Sequence, residues 1–386
     1  MNQLSKMSLV VGCFGFSTVS IGATVIADGR GNGMGNTGVT SADYLLAPFY
    51  NPALTAVHRD SDTFGILVPA IGANVRDTDG SLDTIDSLQD TIKSFENSGN
   101  TDPAIATQLN SYLTDLSDDK PLAVTGGAGI AVAIPINALS ANIFTRGYAE
   151  VIAVTAIAPN NGNGLTEVTT RYENSEVDMI AFGYTEFGVA LAKRMTVQGQ
   201  DVSFGVTPKY QQLRTYKQNL SVEDFDVSDY DESETKENAF NMDLGAVWFY
   251  DAYRVGIAVK DLFSKKIDTL NVGSGVSTYK LNTQVTVSGS YAMEYLVASA
   301  DLDLTSQERF SDLNDDTQYL RLGIEGNAFG WAQLRAGYEM DLESTVDDSV
   351  TLGVGISPGD LVSFDLAGSY AGSNQFGLSG NLAFTF

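Results

Sequence analysis

Gln375-Phe376-Gly377-Leu378-Ser379-Gly380-Asn381-Leu382-Ala383-Phe384-Thr385-Phe386 closes the chain. Phe376, Leu378, Gly380, Leu382, Phe384 and Phe386 alternate with Gly377, Ser379, Asn381, Ala383 and Thr385. Successive side chains of a strand point to opposite faces, so this stretch carries one apolar stripe and one small, polar stripe. The period recurs upstream. Val350, Leu352, Val354 and Ile356 oppose Thr351, Gly353 and Gly355, and Leu320, Leu322 and Ile324 oppose Arg321, Gly323 and Glu325. A soluble sandwich turns its polar face to water and a membrane barrel turns it to the lumen. Alternation alone is common to both.

Features outside the strands choose the barrel. Lys6 is followed by an apolar, small-residue run from Met7 to about Ile26, and Val25-Ile26-Ala27 is a small-residue cleavage site, so residues 1–27 are expected to be an export signal. After it, no apolar run approaches the ~20 residues of a spanning helix. The strands, read from 63–76, 121–134 and 138–155 through 278–291 to 361–371 and 375–386, number fourteen. Short turns near Pro135–Asn137, Asp251-Ala252 and Phe329-Gly330 alternate with longer loops, as in outer-membrane barrels. Trp248, Phe249, Tyr250, Tyr253, Tyr291, Tyr295, Phe329 and Trp331 gather at the short-turn ends, where amphipathic rings favour the headgroup level. The reading is an all-β membrane fold, a 14-stranded antiparallel outer-membrane β-barrel in a Gram-negative envelope. Its outer stripe would meet membrane lipid and lipopolysaccharide.

Leu382, Phe384 and Phe386 are the candidate insertion signal, because a terminal aromatic on an alternating strand resembles what the barrel-insertion machinery reads. That machinery is an expected partner.

Composition excludes several functions. The 386 residues carry a net charge of −26, the wrong sign for a nucleic-acid face. Cys13 is the only cysteine and falls in the signal, and His58 is the only histidine, so no metal site, catalytic triad or cofactor is expected. Gly33-Met34-Gly35-Asn36-Thr37-Gly38 spells a dinucleotide fingerprint but lacks the preceding strand that its mechanism requires. Asp77–Gly80 and Asp312–Asp316 do not complete a calcium loop. No catalytic residues are assigned.

Asp28–Ala56, DGRGNGMGNTGVTSADYLLAPFYNPALTA, breaks the strand pattern. So many glycines form neither a helix nor a firm strand, and the segment needs a larger body to hold it. It is expected to plug the lumen, residues 28–60 forming a hatch and 61–386 the barrel. Gly33, Gly35 and Gly38 would serve close packing, and Asn51, Pro52, Ala53 and Leu54 the turn leading out. Residues 81–118 repeat Leu82, Ile85, Leu88, Ile92 and Phe95, then Ile105, Leu109, Leu113 and Leu116, at helical spacing. Two short helices in the first outer loop follow. The acidic loop Ser221–Glu237 is expected to be mobile.

Charged residues placed on inward faces include Arg146, Glu150, Glu186, Lys209, Arg321, Glu325, Arg335 and Glu339. About the Phe329-Gly330 turn, Glu325 falls opposite Arg335 and Arg321 opposite Glu339. These charges are expected to brace the lumen, and inward groups such as Arg321, Glu325, Arg335 and Glu339 to meet the hatch's backbone donors.

The glycine-rich start, the Ser41-Ala42-Asp43 step and the Asn51–Leu54 turn resemble the hatch of the FadL family of long-chain fatty acid transporters. Thr185–Ala192, Gly205–Tyr210, Asn241–Gly245, Asp301–Leu304 and Leu334–Tyr338 are similar to phrases of the FadL-related, TraF-like barrels labelled after plasmid conjugal transfer. The resemblance implies a plugged fourteen-strand barrel, a hydrophobic pocket near the hatch and lateral escape of ligand through a kinked third strand. It further implies passive uptake of small compounds, with a small hydrophobic ligand as partner. Two other roles are consistent with the chain, an envelope component of conjugation and a surface-display or adhesin barrel. The charged inner face departs from the apolar site that a fatty acid needs.

Overall fold

In the computed structural model, residues 28–225, 233–273, 275–313 and 315–386 are described. The expected signal, residues 1–27, and residues 226–232 of the acidic loop lie outside them.

Seven strands form the first half: β1 (Gly65–Arg76), β2 (Leu122–Ile134), β3 (Ser140–Ala156), β4 (Glu176–Val197), β5 (Gln200–Ser221), β6 (Thr235–Tyr250) and β7 (Tyr253–Lys260). A small hairpin follows, β8 (Lys265–Asp268) and β9 (Thr278–Leu281). The second half is β10 (Gln284–Ala292), β11 (Leu296–Asp303), β12 (Tyr319–Ala328), β13 (Ala332–Asp341), β14 (Ser349–Ile356), β15 (Val362–Gly372) and β16 (Gln375–Thr385). Without β8 and β9, the strands close into a fourteen-membered barrel in which β7 pairs with β10 and β1 with β16, antiparallel throughout.

The alternation maps directly onto the wall. Along β14, Val350, Leu352, Val354 and Ile356 are 46–69 % exposed while Ser349, Thr351, Gly353 and Gly355 are buried. An apolar outer face and a polar inner face are the arrangement that a lipid-embedded barrel requires. Closure uses the chain's end: the Phe64 carbonyl accepts from the Phe386 amide at 2.9 Å, and the Phe386 carbonyl accepts from the Thr63 amide at 2.6 Å. Leu382 and Phe384 sit within β16, and Phe386 follows its last residue. Trp248, Tyr250, Tyr253, Tyr295, Phe329 and Trp331 are exposed at the short-turn ends. Phe249 differs, turning inward beneath Arg194 at 4.3 Å.

Two departures from the sequence reading matter. First, the strand expected over 278–291 breaks at Asn282-Thr283. Its first part becomes β9, which leaves the wall and folds with β8 into the lumen. Ile267, Tyr279 and Leu281 of the hairpin pack with Phe310 against Phe182, Tyr184 and Leu213. The Phe182 and Tyr279 rings stack with centroids 3.4 Å apart. Second, β3 keeps its pairing with β2 and β4 without a register shift. The break falls instead in β1, between Leu67 and Ala70, where Pro69 offers no amide to either ladder.

β4 and β5 run 22 residues each, about twice what a tilted strand needs to span a bilayer. On their outer extension rests a helical cap: α1 (Ser81–Asn97), α2 (Pro103–Asp115) and an unforeseen α3 (Leu165–Glu173). α1 buries Ile85, Leu88, Ile92 and Phe95, the helically spaced residues of the sequence.

Candidate functional site: a hatch between two cavities

Residues 28–57 lie inside the barrel, nearly all buried. They reach the wall because the wall lacks side chains where they touch. A Cβ added at Gly337 would come within 3 Å of Met34 and Gly35, and one at Gly323 within 3 Å of Met34 and Thr37. Gly33 lies against Gly353, Pro52 against Gly205, and Asn51 against Gly245. Hatch and strand glycines thus meet backbone to backbone, a use of glycine that any β-carbon forbids.

The hatch's own amides find acceptors on the wall. Gly29 donates to Asn381 Oδ1 at 2.7 Å and Gly35 to Thr351 Oγ1 at 2.9 Å. Gly38 and Val39 both donate to Asp301 Oδ2, at 2.9 and 3.1 Å. This corrects the expectation that Arg321, Glu325, Arg335 and Glu339 meet those amides. Guanidinium groups have no acceptor to offer an N–H. The two glutamates bond hatch side chains instead, Arg30 Nε reaching Glu325 Oε2 at 2.9 Å and Asn36 Nδ2 reaching Glu339 Oε1 at 2.8 Å.

Within the hatch, Asp28 accepts from Gly31 N at 2.6 Å and from the Tyr50 hydroxyl at 2.6 Å. Burial lifts the Asp28 carboxyl to about 6 against the pull of these two donors. Gly35 has φ +63°, a left-handed conformation open to glycine. Gly38 lies beneath the Tyr50 ring. Asn51 starts the exit turn by accepting from Ala53 N at 3.0 Å, while its amide donates to Val39 O at 2.9 Å. Ala53 O accepts from Ser203 at 2.7 Å, and Leu54 is fully buried.

The inward charges form two groups. On β11–β15, Glu325 lies 2.6 Å from Arg335, Arg335 lies 2.7 Å from Asp365, and Arg321 lies 2.9 Å from Asp303 and 3.6 Å from Glu339. On β3–β7, Lys209 Nζ sits 3.3 Å from Glu186, 2.8 Å from Asp243 and 2.9 Å from Asp261. Arg146 lies 2.6 Å from Glu186, and the Lys260 ammonium donates to Phe49 O of the hatch. Glu150 joins neither group; it pairs at 2.8 Å with Arg309 of the β11–β12 loop. Sequence reading missed Arg309 because period-2 inference places only strand residues.

Two cavities flank the hatch. The outer one, of about 300 Å³, opens towards the long loops and is walled by Asn32, Asn36, Arg76, Tyr148, Arg309 and Tyr319 among others. The inner one, of about 400 Å³, lies at the short-turn end beside Arg30, Ser41, Asp43, Arg254, Met293 and Val297. Among the described residues, the hatch is the one element that contributes to both linings.

Comparison with known proteins agrees with this architecture. The family model described as "F plasmid transfer operon, TraF, protein" matches residues 48–303, about two thirds of the chain. No curated protein sequence matches. Among solved structures, the toluene transporter TbuX of Ralstonia pickettii is 14 % identical and covers 93 % of this chain and 98 % of its own, with a TM-score of 0.52. A FadL homologue of Pseudomonas aeruginosa is 12 % identical, covering 96 % and 99 %, with a TM-score of 0.51. The CymD monoaromatic hydrocarbon channel is 10 % identical, covering 93 % and 97 %, also at 0.51. At such identities the likeness is one of fold, the closed barrel of the FadL type.

Proposed function

The chain belongs to the F plasmid transfer operon TraF protein family, and from that premise we propose that it is a passive channel for small compounds in the Gram-negative outer membrane. The observation that carries this reading is the hatch standing between two cavities of one lumen. A barrel that served only as a scaffold would have no need of a cavity on each side of its plug. The outer cavity sets Ile152, Leu313, Tyr148 and Tyr319 beside Arg76 and the Arg309–Glu150 pair. That lining suits a small compound with an apolar body and a polar group. The names of the structural neighbours, a toluene transporter and a monoaromatic hydrocarbon channel, point to the same range of sizes. In this reading residues 1–27 are a removed signal, 28–60 the hatch and 61–386 the barrel. Lipid and lipopolysaccharide cover the exposed stripe, and the insertion machinery reads Leu382, Phe384 and Phe386.

Proteoliposomes test the proposal. Those holding the folded chain should take up a small radiolabelled aromatic compound bearing a polar group several-fold faster than empty vesicles, down its gradient and without an energy source. Rates equal to those of empty vesicles would sink the uptake reading and favour an envelope role in conjugation.

A further inference from the structure

The hatch has two halves of different chemistry. From Tyr44 to Leu54 it is anchored by apolar burial: Leu45, Leu46, Ala47, Phe49, Ala53 and Leu54 are each at most 3 % exposed. They pack with Leu67, Ala131, Ala133 and Phe144 of the wall. From Gly29 to Ala42 the buried apolar side chains are Met34, Val39 and Ala42, five of the fourteen residues are glycine, and hydrogen bonds carry most of the attachment. Besides the amides bound to Asn381, Thr351 and Asp301, these are Arg30 with Glu325, Asn36 with Glu339, and Thr40 Oγ1 with Ser288 Oγ at 2.7 Å.

The difference decides which half can move. Buried apolar surface has no substitute partner in water. Hydrogen-bonding groups do, and exchanging protein for water partners changes the free energy little. The polar half borders both cavities, through Asn32 and Asn36 on the outer side and Arg30, Ser41 and Ala42 on the inner.

We propose that Gly29–Ala42 is a gate on a fixed apolar base, and that solute crosses along the barrel axis, from the outer to the inner cavity, through the space this segment vacates. The proposal rests on the uptake reading. A sideways exit through the wall finds less support. β3 is paired without a shift on both sides, and Leu67 and Ala70, which bracket the break in β1, are packed against the fixed half of the hatch. Arg30 is the latch: its guanidinium bonds Glu325 twice, at 2.9 and 3.1 Å, and reaches back to Ser41 O at 2.6 Å, pinning both ends of the gate.

The test loosens the latch and then locks the gate. Glu325→Gln removes the charge that holds Arg30, while Arg335 keeps Asp365. Charge-assisted bonds of this kind correspond to roughly tenfold or more in an equilibrium, so solute flux should rise about tenfold in E325Q proteoliposomes. Thr40 and Ser288 have short side chains already in contact, a separation that a disulfide can bridge. In the T40C/S288C/E325Q variant, oxidation should return flux to the level of empty vesicles, and a reductant should restore it. Folding is checked by the heat-modifiable gel shift of each variant. Flux that is unchanged by oxidation, with the disulfide shown by mass spectrometry, would overturn the gate and leave the uptake reading standing. No flux from the reduced triple variant or from a barrel lacking residues 28–50 would overturn both.

Discussion

Lys209→Met is expected to lower the barrel's resistance to unfolding by about 3–5 kcal/mol, the usual result of removing one partner from a buried charge group. Lys209 is 2 % exposed and is the shared cation of Glu186, Asp243 and Asp261, each within 3.3 Å. Arg146 compensates Glu186 alone. Without the ammonium, Asp243 and Asp261 face each other with no salt-bridge partner among the described residues, although the Asp261 amide already bonds Asp243 at 2.8 Å. The midpoint of urea unfolding, followed by the heat-modifiable shift, reads the loss. A rescue variant separates charge from packing. Lys209→Met combined with Asp243→Asn and Asp261→Asn removes the cation together with the two carboxylates that depend on it and should recover most of the stability, since Glu186 keeps Arg146 and no charge is left unpaired. A single variant as stable as the parent would mean that water reaches the cluster freely.

Gly337→Val is expected to unseat the hatch and leave the barrel intact. The new side chain would enter the space of the Met34–Gly35 backbone, and backbone on both sides cannot yield as a flexible side chain would. Overpacking of this sort costs about 1–3 kcal/mol. The polar half of the hatch, held by exchangeable hydrogen bonds, should give way before the wall does. Gly289→Val is the control, because nothing lies within 4 Å of its Cβ position. Protease sensitivity of residues 28–43 in the folded barrel should rise strongly in G337V and stay unchanged in G289V. Equal protection in both would remove the glycine seat from the account.

Much of this was legible in the chain because a barrel repeats one simple rule. Period-2 alternation marks which face of β14 or β16 meets lipid, and a short turn such as Phe329-Gly330 sets register, so Arg335 opposite Glu325 could be read directly. The glycine crowding of 28–38 marked a segment that must be held by something else. What escaped has physical reasons. β8 and β9 are four residues each, too short for a period to show, and their partners Phe182 and Leu213 are distant in sequence. Asp261 follows the last residue of β7 with φ +51° and turns inward, where alternation continued from Lys260 would point it outward, and Arg309 lies in a loop, where alternation assigns no direction; both complete charge groups of the lumen. α3, nine residues long, carries too few apolar positions to declare itself. Wall acceptors such as Thr351 and Asn381 look like ordinary inward polar residues until the hatch backbone is seen against them.

That the hatch closes an otherwise open lumen is the claim on which the rest depends. Planar-bilayer recording of the full chain and of a barrel lacking residues 28–50 tests it directly. The strands pair with one another and do not need the hatch for closure. The truncated barrel should therefore fold, and its single-channel conductance should exceed that of the full chain by at least an order of magnitude. Equal conductance from the two folded proteins would contradict the account.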